Sequence, residues 1–171
     1  MEIITAEISA HYYISGYRDV EKFIGFCREC PNYGRSWLCP PFDYDLDARL
    51  SPWSRVHIAG ISVEVDGQRP VADAMMVLHP ARVELSASLL DYERSHGGLA
   101  FGFSGKCLYC DSCSRLACSA CVHPDKARPS LEAYGFDVGA TAEKLLGIKL
   151  EWACDGLLPR RLSLVGAVFL P

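Results

Sequence analysis

Three cysteines at equal short intervals, Cys107-Leu-Tyr-Cys110-Asp-Ser-Cys113, constrain this chain more than any other feature. Two residues between successive thiols suit a loop that winds around one object. A cubane iron-sulfur cluster asks for this arrangement, taking three corners from consecutive nearby cysteines and the fourth from further along. Cys118 and Cys121 both lie within reach of that fourth corner. A single zinc ion prefers two C-x2-C pairs held apart by a longer loop. Such pairs can be drawn as Cys107 with Cys110 and Cys118 with Cys121, but only seven residues separate them and Cys113 is left without a task. The expected cofactor is therefore a [4Fe-4S] cluster, with zinc as the alternative.

The remaining cysteines bear on the setting. Nine in 171 residues is one in nineteen, below the density of small disulfide scaffolds, and an odd number leaves one unpaired. Half of the residues are hydrophobic, enough to bury a core without bridges. The opening Met1-Glu2-Ile3-Ile4-Thr5-Ala6-Glu7 has neither the basic nor the apolar stretch of an export signal. A reducing, cytoplasmic location is expected, where clustered cysteines are more often ligands than bridges. The longest apolar run, Leu162 to Leu170, is too short to cross a bilayer, so no membrane association is expected. A net charge of −4 with scattered signs gives no reason to expect nucleic acid as partner.

A second group lies upstream, Cys27-Arg-Glu-Cys30-Pro31 followed by Cys39-Pro40-Pro41-Phe42. Proline stiffens the backbone beside Cys30 and Cys39, and Tyr33, Trp37 and Phe42 could shield a cofactor from water. Three local thiols leave a fourth position open to Cys118, Cys154, a non-cysteine side chain or an exchangeable ligand. Cys154 itself reads as a buried free cysteine on an apolar strand from Ile148. His123, two residues past Cys121, is a possible additional ligand, though a loop histidine more often makes an outer hydrogen bond. Lys106, Arg115, Lys126 and Arg128 surround the downstream thiols in sequence, where cations would stabilise an anionic cluster and raise its potential; Lys106 and Arg128 are the main candidates for supporting it. His11, His57, His79 and His96 form no spaced pair and read as structural.

Elements interleave along the whole length, with no repeat or low-complexity linker. This predicts one domain over 1–171 of α/β or α+β class, a mixed sheet flanked by helices carrying two cysteine-rich loops. Strands are expected over Glu2–Tyr13, Val56–Val65, Leu99–Phe103, Ile148–Cys154 and Ser163–Leu170, the second of them central because it is apolar on both faces. Val20, Phe23, Ile24 and Cys27 share one face of a helix that delivers the first thiol. Val71–Leu78 fits either period, a helix runs from Ala81 to Gly97-Gly98, and Asp137 caps another that ends before Gly147.

Taken together, several ordered motifs resemble one family. They are Cys30-Pro31-Asn32-Tyr33-Gly34, Trp37, Cys39-Pro40-Pro41-Phe42, Gly105-Lys106-Cys107 with Cys110 and Cys113, Cys121-Val122-His123-Pro124, and Ala127-Arg128-Pro129-Ser130-Leu131-Glu132-Ala133 with Gly135 and Asp137-Val138. The chain is similar over nearly its full length to the predicted metal-binding proteins of domain of unknown function 2284. The resemblance implies metal binding, an association with anaerobic metabolism, and a ligand set of Cys27, Cys30, Cys39, Cys107, Cys110, Cys113 and Cys121. It makes Cys121 the fourth downstream ligand and Cys118 an extra. Val122 stands where the family often carries an arginine.

No G-x-G-x-x-G after a strand, P-loop, G-x-S-x-G or H-E-x-x-H occurs. The expected role is a redox or electron-transfer protein with one or two [4Fe-4S] clusters and a redox protein as partner. The alternatives are a zinc module for protein interaction, or an enzyme whose upstream cluster keeps an open iron for substrate.

Overall fold

The computed structural model describes all residues, 1–171. Strand β1 (Ile3–Ser9) leads into helices α1 (Ala10–Tyr17) and α2 (Val20–Arg28). The first cysteine loop and short helix α3 (Leu46–Leu50) follow, then β2 (Arg55–Glu64), the long helix α4 (Ala74–His96) and β3 (Leu99–Phe101). The second cysteine loop, α5 (Val138–Leu146) and β4 (Arg161–Leu170) complete the chain.

The four strands stand in the order β1-β2-β4-β3, and every neighbouring pair is antiparallel. The sheet is thus uniform where a mixed one was expected, because no βαβ crossover returns a strand in the same direction beside its predecessor. Strand β2 is central, as its two apolar faces required. Alternation divides its side chains between two cores. Val56 and Ile58 join Val165, Ala167 and Phe169 under α1 and α5, whereas Ala59 and Ile61 join Leu164 and Val168 under α4.

Local chemistry sets the ends of these elements. The expected strand Glu2–Tyr13 stops at Ser9, whose Oγ accepts the Tyr12 N–H at 3.1 Å and starts α1. Val71–Leu78 resolves into a 3-10 turn at Val71–Asp73 and the opening of α4, which continues through Pro80. Asp137 caps α5 through the Ala140 N–H at 2.8 Å, and Gly97 and Gly147 close α4 and α5 in the left-handed conformation. The expected strand Ile148–Cys154 is not formed. Ile148 is buried, but Trp152 is 79 % exposed and Cys154 is exposed beside a turn at Asp155-Gly156. No helix is long and apolar enough to cross a membrane.

Two connections bring the cysteine loops together. Beyond β3, Gly102 bridges to Ser130 in parallel and its N–H donates to the Pro129 carbonyl at 2.8 Å. This lays Ser130, Glu132 and Ala133 beside the segment Phe103–Gly105. The same turn anchors α2, since the Asp19 N–H donates to the Gly135 carbonyl at 2.8 Å and Gly135 has no room for a side chain against Val20.

Candidate metal centre

Helix α2 carries Cys27 in its last turn, and tight turns then bring Cys30 and Cys39 back beside it. The Cys30 N–H donates to the Cys27 carbonyl at 3.0 Å, Gly34 N–H to Pro40 carbonyl at 2.8 Å, and Cys39 N–H to Ser36 carbonyl at 3.0 Å. Cys27, Cys30 and Cys39 consequently line one pocket together with Phe103, Ser104, Gly105, Ser130 and Glu132. The cavity between them is small, about 80 Å³, and opens to solvent. Burial pushes the Cys27 thiol up, with Cys30 and Glu132 adding to the effect, and burial with Cys30 pushes Cys39 up to about 11.

The downstream loop gathers its thiols in the same way. Loss of solvation raises the Cys110 thiol, and the charges of Cys107, Cys121 and Cys113 raise it further. All three belong to the ligand set that the family resemblance implies. Cys118, exposed and in a left-handed conformation with φ 54°, is not among them. Cys154 is exposed at its distant turn, not buried as its apolar context suggested, because the residues before it form no strand. His123 packs its ring near Tyr109, with centroids 6.0 Å apart.

The two thiol groups lie on either side of one stretch of backbone. Ser104 and Gly105 line the upstream pocket, and Lys106 and Cys107 line the downstream surface together with Asn32, Arg35 and Ser36 from the first loop. Gly105 adopts φ +110°, a conformation open to glycine and costly for other residues, and this turns the chain from one site to the other. Two residues of chain span at most about 7 Å, so Gly105 and Cys107 hold the sites close.

The expected basic residues do different work. Arg115 donates from Nη1 to the carbonyls of Ser36 (2.9 Å) and Cys39 (2.8 Å) and from Nη2 to that of Pro41 (2.7 Å), while its guanidinium covers Trp37. It fastens one cysteine loop to the other. Arg128 pairs with Glu93 at 2.7 Å and donates to the carbonyls of Pro124, Asp125 and Ala127, so it braces the chain after Cys121. Lys126 lies over the Tyr109 ring at 4.8 Å. Lys106 contributes its backbone, whose carbonyl accepts from Arg82.

Sequence reasoning passed over Arg82 and Glu132. Arg82, on α4, is 5 % exposed, has no carboxylate within pairing distance and leaves Nε without a hydrogen-bond partner. Burial lowers its pKa while the charge of Cys107 raises it. An unpaired buried cation is costly, and an anionic group at the downstream thiols would offset it. Glu132 has an Oε2 shut off from water and without a hydrogen-bond partner. Burial raises its carboxyl pKa, against the hydroxyls of Ser130 and Ser104 nearby.

These residues fit a metal-thiolate group in type. The thiols are not bridged to one another; Cys27, Cys30 and Cys39 line one pocket, and Cys107, Cys110 and Cys113 line another. No three His, Cys, Asp or Glu side chains are grouped so that they could hold a metal ion.

An α+β scaffold presenting two cysteine loops defines a cysteine-rich metal-binding protein. The chain belongs to the family of predicted metal-binding proteins DUF2284, whose model matches residues 16–170. No curated protein and no solved structure matches it.

Proposed function

We propose that the chain holds two [4Fe-4S] clusters, one at Cys107, Cys110, Cys113 and Cys121 and one at Cys27, Cys30 and Cys39, and relays electrons between other redox proteins in a reducing, cytoplasmic setting. The observation that carries this reading is the wall shared by the two thiol groups, the segment Phe103–Cys107. Structural metal ions gain nothing from such proximity, whereas electrons pass readily between centres a short distance apart.

Two further features support clusters over zinc. The equal short spacing of Cys107, Cys110 and Cys113 suits three corners of a cubane better than the paired ligands of one ion. The unpaired guanidinium of Arg82 suits a group that gains negative charge on reduction. When bound, the clusters supply the one-electron chemistry; the protein gathers their ligands, lines the upstream site with Tyr33 and Phe103 and joins the two loops through Arg115.

Electron paramagnetic resonance of the fully reduced protein tests the relay. Two clusters so close broaden and split each other's signals, and Ser in place of Cys27, Cys30 and Cys39 leaves one simple spectrum. A single uncoupled signal in the wild type, unchanged by that replacement, would contradict the proposal.

A further inference from the structure

The upstream pocket offers three thiols, and the residues able to complete the set are few. Cys118 and Cys154 are exposed and line none of its walls. Histidine is absent from the pocket as well. Its one carboxylate is Glu132, which lines the same pocket as Cys27, Cys30 and Cys39 and whose charge acts on the Cys27 thiol.

The local structure holds that carboxylate firmly. Glu132 begins the 3-10 turn Glu132–Tyr134, whose ends are fixed by the Gly102–Ser130 bridge on one side and the Asp19–Gly135 hydrogen bond on the other. Its neighbours Leu131, Ala133 and Tyr134 are all buried. The turn that seats α2, the helix bearing Cys27, therefore fixes the backbone from which this side chain projects. Yet no cation pairs with it, and Oε2 is shielded from water and accepts no hydrogen bond. Buried carboxylate oxygens are ordinarily satisfied by a donor or a metal. Carboxylates are established ligands of iron, so an iron atom in the pocket would meet both needs at once.

We propose that Glu132 is the fourth ligand of the upstream centre, giving a Cys3Glu-ligated cluster distinct from the all-cysteine cluster downstream. This rests on the two-cluster reading above. The one iron bound by oxygen is then the electronically distinct site of the pair, and no substrate position is open in the resting protein.

Mössbauer spectroscopy of the anaerobically purified, iron-57-enriched full chain reads the ligand directly. About one iron in eight should show the higher isomer shift of an oxygen-ligated site. Glu132→Cys should merge it with the thiolate-bound irons at unchanged iron content. Glu132→Gln should free it, so that added cyanide shifts the signal in this variant and leaves the wild type alone. Circular dichroism confirms that each variant is folded. Two clusters present with no distinct iron, or a distinct iron that both variants leave unaltered, would overturn the assignment of Glu132 while leaving the two-cluster reading intact. Iron and sulfide absent altogether would instead overturn both.

Discussion

Arg115 donates to the Cys39 carbonyl at 2.8 Å, so a side chain from the downstream cysteine loop fixes the backbone of an upstream ligand. The same guanidinium reaches Ser36 and Pro41, and its planar fork is what allows three carbonyls to be served together. Arg115→Ala should destabilise the fold by about 2 kcal/mol, the scale of charge-assisted bonds at a partly exposed site. Hydrogen exchange should accelerate across residues 36–41. Arg115→Lys should recover little, since an ammonium cannot span the three acceptors.

Arg82 gives a test that reads differently in two states. Replacing it with Met removes a buried charge that has no carboxylate partner, together with its bond to the Lys106 carbonyl and its contact with Phe103, so metal-free protein should change in stability by no more than about 1 kcal/mol. The loaded protein should lose potential at the downstream centre, because the cation favours the reduced, more negative form. A drop on the order of 50–100 mV is expected from a charge interaction at an intermediate dielectric. Chemical denaturation and a redox titration read the two effects; a potential unchanged by Arg82→Met would show that the guanidinium serves packing alone.

The downstream ligand set separates Cys121 from Cys118. Alanine at Cys107, Cys110, Cys113 or Cys121 should remove that centre and lower stability, because coordination organises the loop. Cys118→Gly should retain it and cost under about 1 kcal/mol, since its left-handed backbone suits glycine. Loss of iron from Cys118→Gly alone would reverse the assignment.

Glu93 accepts from Arg128 at 2.7 and 2.9 Å and from the Ala100 N–H at 2.8 Å, linking α4, β3 and the chain after Cys121. Breaking a mostly buried pair leaves an uncompensated charge. Glu93→Ala should therefore cost about 3 kcal/mol in thermal or denaturant unfolding and weaken retention of the downstream metal. Glu84, half-exposed on the same helix and paired with the N-terminal amine at 3.5 Å, provides a control whose replacement should cost under about 1 kcal/mol.

His57 carries a pH dependence independent of the metal. It stacks on Tyr92 at 3.9 Å, its Nδ1 lacks a hydrogen-bond partner, and burial lowers its pKa from 6.5 despite the nearby Glu7 carboxylate. His96, also stacked on Tyr92, lowers it further. Below 6.5 the unfolded chain binds the proton more readily than the folded one, so stability falls as pH drops from 6.5 through the depressed value. Unfolding midpoints of the wild type and His57→Gln across pH 7.5 to 5 should diverge in that window, with the variant the less acid-sensitive.

The parts of this molecule legible in sequence are those encoded by spacing. Cys107, Cys110 and Cys113 announce a common object through their interval, and the period of Val20, Phe23 and Cys27 marks α2. The missing strand at Ile148–Cys154 shows the limit of periodicity. Alternation reports which side chains meet the core, and Ile148 does; it says nothing of whether the backbone has a partner to pair with. Ser9 ended β1 early because a single capping hydroxyl outweighed a run of strand-forming residues. Arg82 and Glu132 were invisible for another reason. Arg82 belongs to no motif and Glu132 sits in the run Ala127–Ala133 without a role attached; their significance lies in lacking a partner, which emerges only when α4 and the turn at Glu132 are folded against the cysteine loops.

The most direct test of the account is the iron and acid-labile sulfide content of anaerobically purified protein, measured beside its zinc content. Two cubane clusters predict about eight iron and eight sulfide per chain, with broad visible absorption that bleaches on reduction. Stoichiometric zinc, no sulfide and a colourless solution would contradict it.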